Sequence, residues 1–342
     1  LKKLFGPVDM TTGTPWKKIA LFTIPMIIGN IAQQLYNTVD SIVVGKFVGD
    51  NALAAVGSAS PIFNLLLVLF IGISVGTSVM VSQYFGAKER EQLSKTIGCC
   101  ITLTAIASVF IMLIGSFIVR PLLELLHTPD SIIDWCTSYL TVLFWGISGV
   151  AYYNILSGVL RGLGDSVSAL LYLLVATVIN IVLDLWFVAG LGLGVFGVAL
   201  ATAIAQAISA LLCFIKLSRM QELFDMKPKY LRVDGEHTMT MIRLGLPSGL
   251  TQAIFSMAMI IVQSLTNSFG EMVIAANVII MRVDGFAMMP NFSFGTAMTT
   301  YSGQNVGAKR YDRAEEGARQ GTIMAMAVSA SITVLILIFG KY

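Results

Sequence analysis

Charge is what this sequence has least of. Only 12% of its 342 residues are Asp, Glu, Lys or Arg, about half the share of an ordinary soluble domain. That is too little charge to clothe a water-soluble globule of this length. Histidine occurs twice and cysteine four times. Cys99, Cys100, Cys136 and Cys213 lie in or beside apolar stretches with no CxxC spacing, which speaks against a disulfide framework and a zinc site. The Gly-bearing turns Phe85-Gly86-Ala87-Lys88-Glu89 and Leu160-Arg161-Gly162-Leu163-Gly164-Asp165-Ser166 lack the P-loop and dinucleotide fingerprints. There is no HExxH, and neither His127 nor His237 falls in an apolar run. The reading is of a protein that is not an enzyme and needs no cofactor.

What is present is long apolar sequence. Hydrophobic residues make up 56% of the chain, and the mean hydropathy is +0.81. Uncharged runs cover 19–39, 51–87, 96–119, 135–160, 166–183, 185–215, 244–270, 285–308 and 320–340. A helix crosses a bilayer with about 20 such residues. Gly190, Gly192, Gly194 and Gly197 form a turn-rich knot in the run 185–215. One span is therefore placed to end near Ala189 and the next to begin near Val195. The count is nine spans in an all-α polytopic membrane protein. Residues 1–15 carry Lys2 and Lys3 but no apolar core of signal-peptide length. The sequence begins without Met, so its true start is expected to be missing.

The bases orient the spans. With the N-terminus inside, the inner connections hold 18 of the 22 bases. Lys46, Arg120 and Lys341 fall outside, and Arg282 alone lies within a span. Loops so rich in Lys and Arg lie in the cytoplasm. The expected location is the cell membrane, with a cytoplasmic N-terminus. Net charge of +3 says nothing of nucleic acid once its bases are assigned to one membrane side.

The chain also matches itself at an offset of about 221 residues. Pro25 pairs with Pro247, Gly49-Asp50 with Gly270-Glu271, Ala54-Ala55 with Ala275-Ala276, and Gln83 with Gln304. Gly86-Ala87-Lys88 pairs with Gly307-Ala308-Lys309. Matched segments at a near-constant spacing indicate a duplicated unit. Both copies start with a span running outward, so the repeat is parallel, an arrangement that puts substrate at the repeat interface in secondary transporters. The expected organisation is a first lobe over 1–220 with spans one to six and a connection over 221–237. A partial second lobe with spans seven to nine covers 238–342. By this arithmetic about 100 residues, or three spans, are absent, and a truncated chain is the expectation.

Intramembrane ionisable groups are functional candidates because each is costly to insert. Asp40, Asp184 and Asp284 are the acids within spans. Asp40, Asp184 and Thr202 fall at one depth, about 9–15 Å below the outer boundary at 1.5 Å per residue. Asn180 stands one turn from Asp184 on the same helix face. Two carboxylates, an amide and a hydroxyl make a hard oxygen cluster that suits Na⁺. Without a metal the paired acids would take up a proton. Na⁺ and H⁺ both remain open as coupling ions. The same polar groups could instead only knit spans together. The second repeat has Ile261 or Val262 where the first has Asp40, so the shared scaffold does not require an acid there.

Span one also carries Pro25, a hinge candidate, with Gln34 and Asn37 beyond it. Met257, Met281 and Met288 are flexible, polarizable side chains that suit a promiscuous cavity or ordinary packing. Arg282 and Asp284 either set cavity electrostatics or neutralise each other.

Pro25 with Asp40, the 160–166 turn, Asn180 with Asp184 and the duplicated Gln-x-x-Gly-Ala-Lys turns resemble the multidrug and toxic compound extrusion (MATE) family, nearest its archaeal and DNA-damage-inducible branch. The resemblance covers essentially the whole chain, without the last three spans. It implies two six-helix lobes around a cleft and cation-coupled export of amphipathic, often cationic, compounds by alternating access. It also implies a monomer in the lipid bilayer. By the family's pattern Asp40, Asn180, Asp184 and Thr202 hold the cation, with Asn154 as the candidate for an Asn of helix 4. The family's other branch uses a Glu in helix 7, where this chain has Ser256 and no acid. A flippase for lipid-linked oligosaccharide or peptidoglycan precursors of the same superfamily is the alternative. It would need cavity bases for a diphosphate.

Overall fold

The computed structural model describes residues 6–126, 128–267 and 271–339. Lys2, Lys3, His127, Gly270 and Lys341, and the side chains of Glu271, Ala275, Ala276 and Arg282, lie outside the described residues. Among the described residues the chain is almost wholly helical. α1 (Pro15–Phe47) opens on a proline, whose missing N–H is one a helix leaves unpaired anyway. Gly49, at φ 110°, turns the chain into α2 (Asp50–Ala87), which is helical through Pro61. α3 (Arg90–Leu125) follows after the turn at Lys88.

The run 135–160, expected as one span, is broken. α4 (Asp130–Trp145) and α5 (Ile147–Gly162) meet at Gly146 with a 51° bend. Gly146 lies so close to Ala203 that a β-carbon there would collide with it. α5 also extends further than expected, so that Arg161 sits on its last turn rather than in a loop. α6 (Ser166–Asp184) is capped by Asp165, whose Oδ1 accepts from the Ser168 N–H at 2.9 Å. A π-turn (Leu185–Gly190) continues it, and α7 (Gly194–Ser218) follows the glycine knot.

α8 (Gly235–Asn267), α9 (Glu271–Gly307) and α10 (Tyr311–Phe339) form the second repeat. α8 begins before its apolar run because Asp234 caps it, accepting from the His237 N–H at 3.0 Å. His237 therefore lies in the first turn of this helix.

The repeat is written into the backbone. Among the described residues Lys88 and Lys309 are the non-glycine residues with positive φ, both at 58°. They occupy the same place after α2 and after α9. Glu89 N–H closes the first turn on Tyr84 O at 3.0 Å, and Arg310 N–H closes the second on Asn305 O at 2.8 Å. The two turns also cross each other. A β-carbon on Gly86 would strike the Gln304 carbonyl, and one on Gly307 would strike the Gln83 carbonyl. Gly72 and Gly76 of α2 face Gly245 and Met241 of α8 in the same way, a small-residue crossing typical of membrane helices. Gly72-Ile73-Ser74-Val75-Gly76 also spells the GxSxG of serine hydrolases. It lies inside a continuous helix, not on the strand-to-helix turn that exposes a nucleophile. Ser74 Oγ donates to the Asn154 carbonyl at 2.7 Å, so the segment packs helices.

Met10, Ile19 and Phe22 pack with Phe294, Ala297 and Tyr301 of α9, joining the two repeats at the end that carries most of the bases. Arg313 donates to Gly13 O at 2.7 Å, and Arg310 to Thr11 O at 2.7 Å. Among the described residues six helices are long and apolar enough to cross a membrane: α1, α2, α3, α6 with its π-turn, α7 and α10. The bent pair α4–α5 makes a seventh if it is one span. α8 and α9, 33 and 37 residues long, stand where the seventh and eighth spans are expected. The outward faces are apolar: Phe117 is 82% exposed and Leu337 78%, as a lipid-facing surface requires. The molecule is an all-α polytopic membrane protein.

Candidate functional site

Three helices of the first repeat meet at one point. α6 packs between α1 and α7, so that α1 supplies Asp40, α6 supplies Asn180 and Asp184, and α7 supplies Thr202. Asn180 and Asp184 are fully buried, while Asp40 is half-buried. The Asn180 amide satisfies its neighbours when its nitrogen faces the acids. It then donates to Asp40 Oδ1 at 2.8 Å and to Asp184 Oδ2 at 3.3 Å. Its oxygen lies 3.5 Å from the Thr202 hydroxyl. The two carboxyls are also within hydrogen-bonding reach of each other, a contact that needs a proton on one of them. Asp184 Oδ1 has no partner within the described protein. A buried carboxylate oxygen without a donor leaves a lone pair for a proton or a cation.

Asp40 and Thr202 open onto a cavity of about 540 Å³, in the size range of small-molecule sites. Its wall is largely amide, hydroxyl and aromatic. Asn37 and Asn154 line it too. Asn154 does not touch the acids, since its Nδ2 donates to Val150 O at 2.8 Å on its own helix. The structure thus brings together four of the five expected cation residues and holds the fifth on the same cavity, bound elsewhere.

The other expected positions lie apart from this cluster. Pro25 stands on a separate, smaller chamber of the first lobe. Gln34 and Asp284 are exposed, and Met257 is 64% exposed. Met281 and Met288 are half-buried on α9, and the Arg282 side chain is outside the described residues.

Sequence reasoning missed Tyr36, Tyr139 and Gln206, which all line the cavity. The Tyr36 hydroxyl faces Thr202, and that of Tyr139 faces Ser60. Gln206 is 7% exposed, and its Oε1 lacks a partner in the described protein. Helical spacing held the signal for two of them, because Tyr36 is one turn from Asp40 and Gln206 one turn from Thr202.

Comparison with known proteins agrees with this layout. The MatE family matches residues 25–186 and 247–342, one segment in each repeat. The probable multidrug resistance protein YoeA of Bacillus subtilis is 31% identical over 95% of this chain and 72% of its own. The probable multidrug resistance protein YpnP of the same organism is 31% identical over 98% of this chain and 75% of its own. A solved structure described as the outward-facing conformation of a multidrug resistance MATE family transporter of the MOP superfamily superposes with a TM-score of 0.90. It is 28% identical, over 97% of this chain and 74% of that one. Matches of this extent in sequence and in fold place the chain in the MatE family, as a multi-pass membrane transporter and not an enzyme.

Proposed function

We propose that this protein is a multidrug efflux transporter that exchanges amphipathic, cationic compounds for Na⁺ or H⁺ at the Asp40–Asp184 pair. The observation that carries the reading is the Asn180 amide held between the half-buried Asp40 and the buried Asp184 carboxylates, beside a cavity of about 540 Å³. A charge in the membrane interior persists only where it has a use. Na⁺ and H⁺ would ask different things of Asn180. With its nitrogen on both acids the amide supports a proton shared between them. Na⁺ needs oxygen donors, so its entry would require the amide to turn its Oδ1 inward. Thr202 and the unpartnered Asp184 Oδ1 would complete the set.

The basic end is taken to be cytoplasmic, with the N-terminus there, in the cell membrane. Contacts between the Gly86 and Gly307 turns close that end. This closure and the likeness to an outward-facing relative support reading the conformation as outward-facing, with alternating access as the transport cycle. Among the described residues no Lys or Arg lines the cavity, which disfavours a site for a lipid-linked diphosphate.

Purified protein in proteoliposomes tests this with Na⁺ and pH gradients imposed separately. Ethidium is expected to move against one of them. Ethidium movement under neither gradient would contradict the reading.

A further inference from the structure

Where α1 and α6 begin, the basic end holds a pocket of about 420 Å³ that shares no wall residue with the aspartate cavity. Lys17, Lys18, Leu21 and Phe22 line it from α1, and Ser166 and Val167 from α6. The spacing stacks two kinds of surface. Lys17 stands one turn from Leu21 and Lys18 one turn from Phe22, so a charged layer lies over an apolar one about 5.4 Å deeper. The apolar layer continues along both helices. Ile24 and Ile28 follow Leu21 on one face of α1, and all three are exposed. Leu171, Leu174 and Val178 follow Val167 on α6 and are exposed too. The helices pack together where Gly29 meets Leu170 and Leu173, so the two stripes run along neighbours.

The charge around the pocket suits an anion. Among the described residues neither Lys17 nor Lys18 forms an ion pair with a carboxylate. Lys18 Nζ donates to the Asp9 backbone carbonyl at 3.0 Å, and Lys17 Nζ lies over the Trp16 ring. The acids at hand are engaged. Asp165 accepts from the Ser168 hydroxyl and lies 3.8 Å from Lys216. The Asp9 carboxylate accepts from the Thr11 N–H at 2.8 Å and stands near Lys18 and Lys88. Bases therefore outnumber acids there. Trp16 is exposed beside them, as aromatic residues at a membrane–water boundary are.

We propose that this pocket binds one anionic phospholipid from the leaflet at the basic end. Its phosphate sits on Lys17 and Lys18, and its acyl chains follow the α1 and α6 stripes. Ammonium groups hold phosphate oxygens by charge-assisted hydrogen bonds, and basic pockets between membrane helices take anionic headgroups. A zwitterionic lipid would bring a second, positive group to a site already rich in bases. Free phosphate would leave the apolar layer unused. The site does not depend on the aspartate pair or on the transport reading above.

The full chain, purified in detergent, is titrated with phosphatidylglycerol, and retained lipid is counted by native mass spectrometry. Phosphatidylglycerol should stay bound, one molecule to each chain. Phosphatidylcholine at the same concentration should not, and excess inorganic phosphate should not displace the bound lipid. Lys17→Gln combined with Lys18→Gln should weaken retention about tenfold or more. Leu21→Trp keeps both lysines but crowds the apolar layer, and should weaken it as well. Lys227→Gln combined with Lys229→Gln, at exposed bases of the connection between the repeats, should leave retention unchanged. Undiminished retention by either pocket variant overturns the proposal. So does equal retention of phosphatidylcholine, displacement by phosphate alone, or an equal loss from the Lys227 and Lys229 pair.

Discussion

The two repeats share a scaffold but not a chemistry. Their turns agree in backbone angle, with Lys88 and Lys309 both at φ 58°, and each turn packs its glycine on the other's glutamine carbonyl. At the mirror position of Asp40, however, stand Ile261 and Val262, 67% and 48% exposed. Where the first repeat buries a polar cluster against a cavity, the second presents apolar side chains. Duplication preserved what closes the basic end, and the acids paired through Asn180 belong to the first copy. Closure is thus a shared property of the repeats, and the ion handling proposed above belongs to the first.

The largest expected effects test that asymmetry. Asp40→Asn and Asp184→Asn should each reduce gradient-driven ethidium transport to the level of protein-free vesicles, with normal membrane insertion. Adding Val262→Asp should not rescue D40N, since Val262 is 48% exposed and lies in the other repeat from Asn180; restored transport would show that the repeats are interchangeable. Next come the amides. Asn180→Leu removes the donor that touches both acids and should abolish coupled transport. Asn154→Ala, whose side chain bonds its own helix, should cause a smaller loss. Equal losses would place Asn154 in the cluster.

Smaller effects test the shared scaffold. Gly86→Ala and Gly307→Ala should each destabilise the protein by about 1–3 kcal/mol, because the new methyl group overpacks a backbone contact. The two thermal shifts should match; a shift in only one would mean that the turns are not equivalent. Smallest of all, Lys88→Gly and Lys309→Gly should each stabilise by roughly 0.5–1 kcal/mol, the relief of a left-handed residue less the added unfolded-state entropy. Thermal unfolding in detergent reads both.

Much of this was legible in the sequence because membrane insertion penalises charge. Asp40, Asn180, Asp184 and Thr202 stood out against apolar surroundings, and counting residues from the loops put Asp40, Asp184 and Thr202 at one depth. The duplicated Gln-x-x-Gly-Ala-Lys turns were equally plain. Other features left no such mark. The break at Gly146 sits in an uncharged run without proline, and its cause, the approach of Ala203, is a tertiary contact. Arg161 reads as a loop base, yet the structure carries α5 past it. Tyr36, Tyr139 and Gln206 look like packing until the cavity they line is seen. Helix starts were also misplaced, because Asp234 caps α8 ahead of its apolar run.

The most direct test of the aspartate pair is to follow cation release when substrate binds. Purified protein, loaded with Na⁺ or held at a pH where the pair is protonated, is mixed with ethidium while a Na⁺ electrode or a pH-sensitive dye reports the free ion. The natural sequence should release one of the two ions on binding, and D40N and D184N should release neither while still binding ethidium. Undiminished release from D184N would contradict the account.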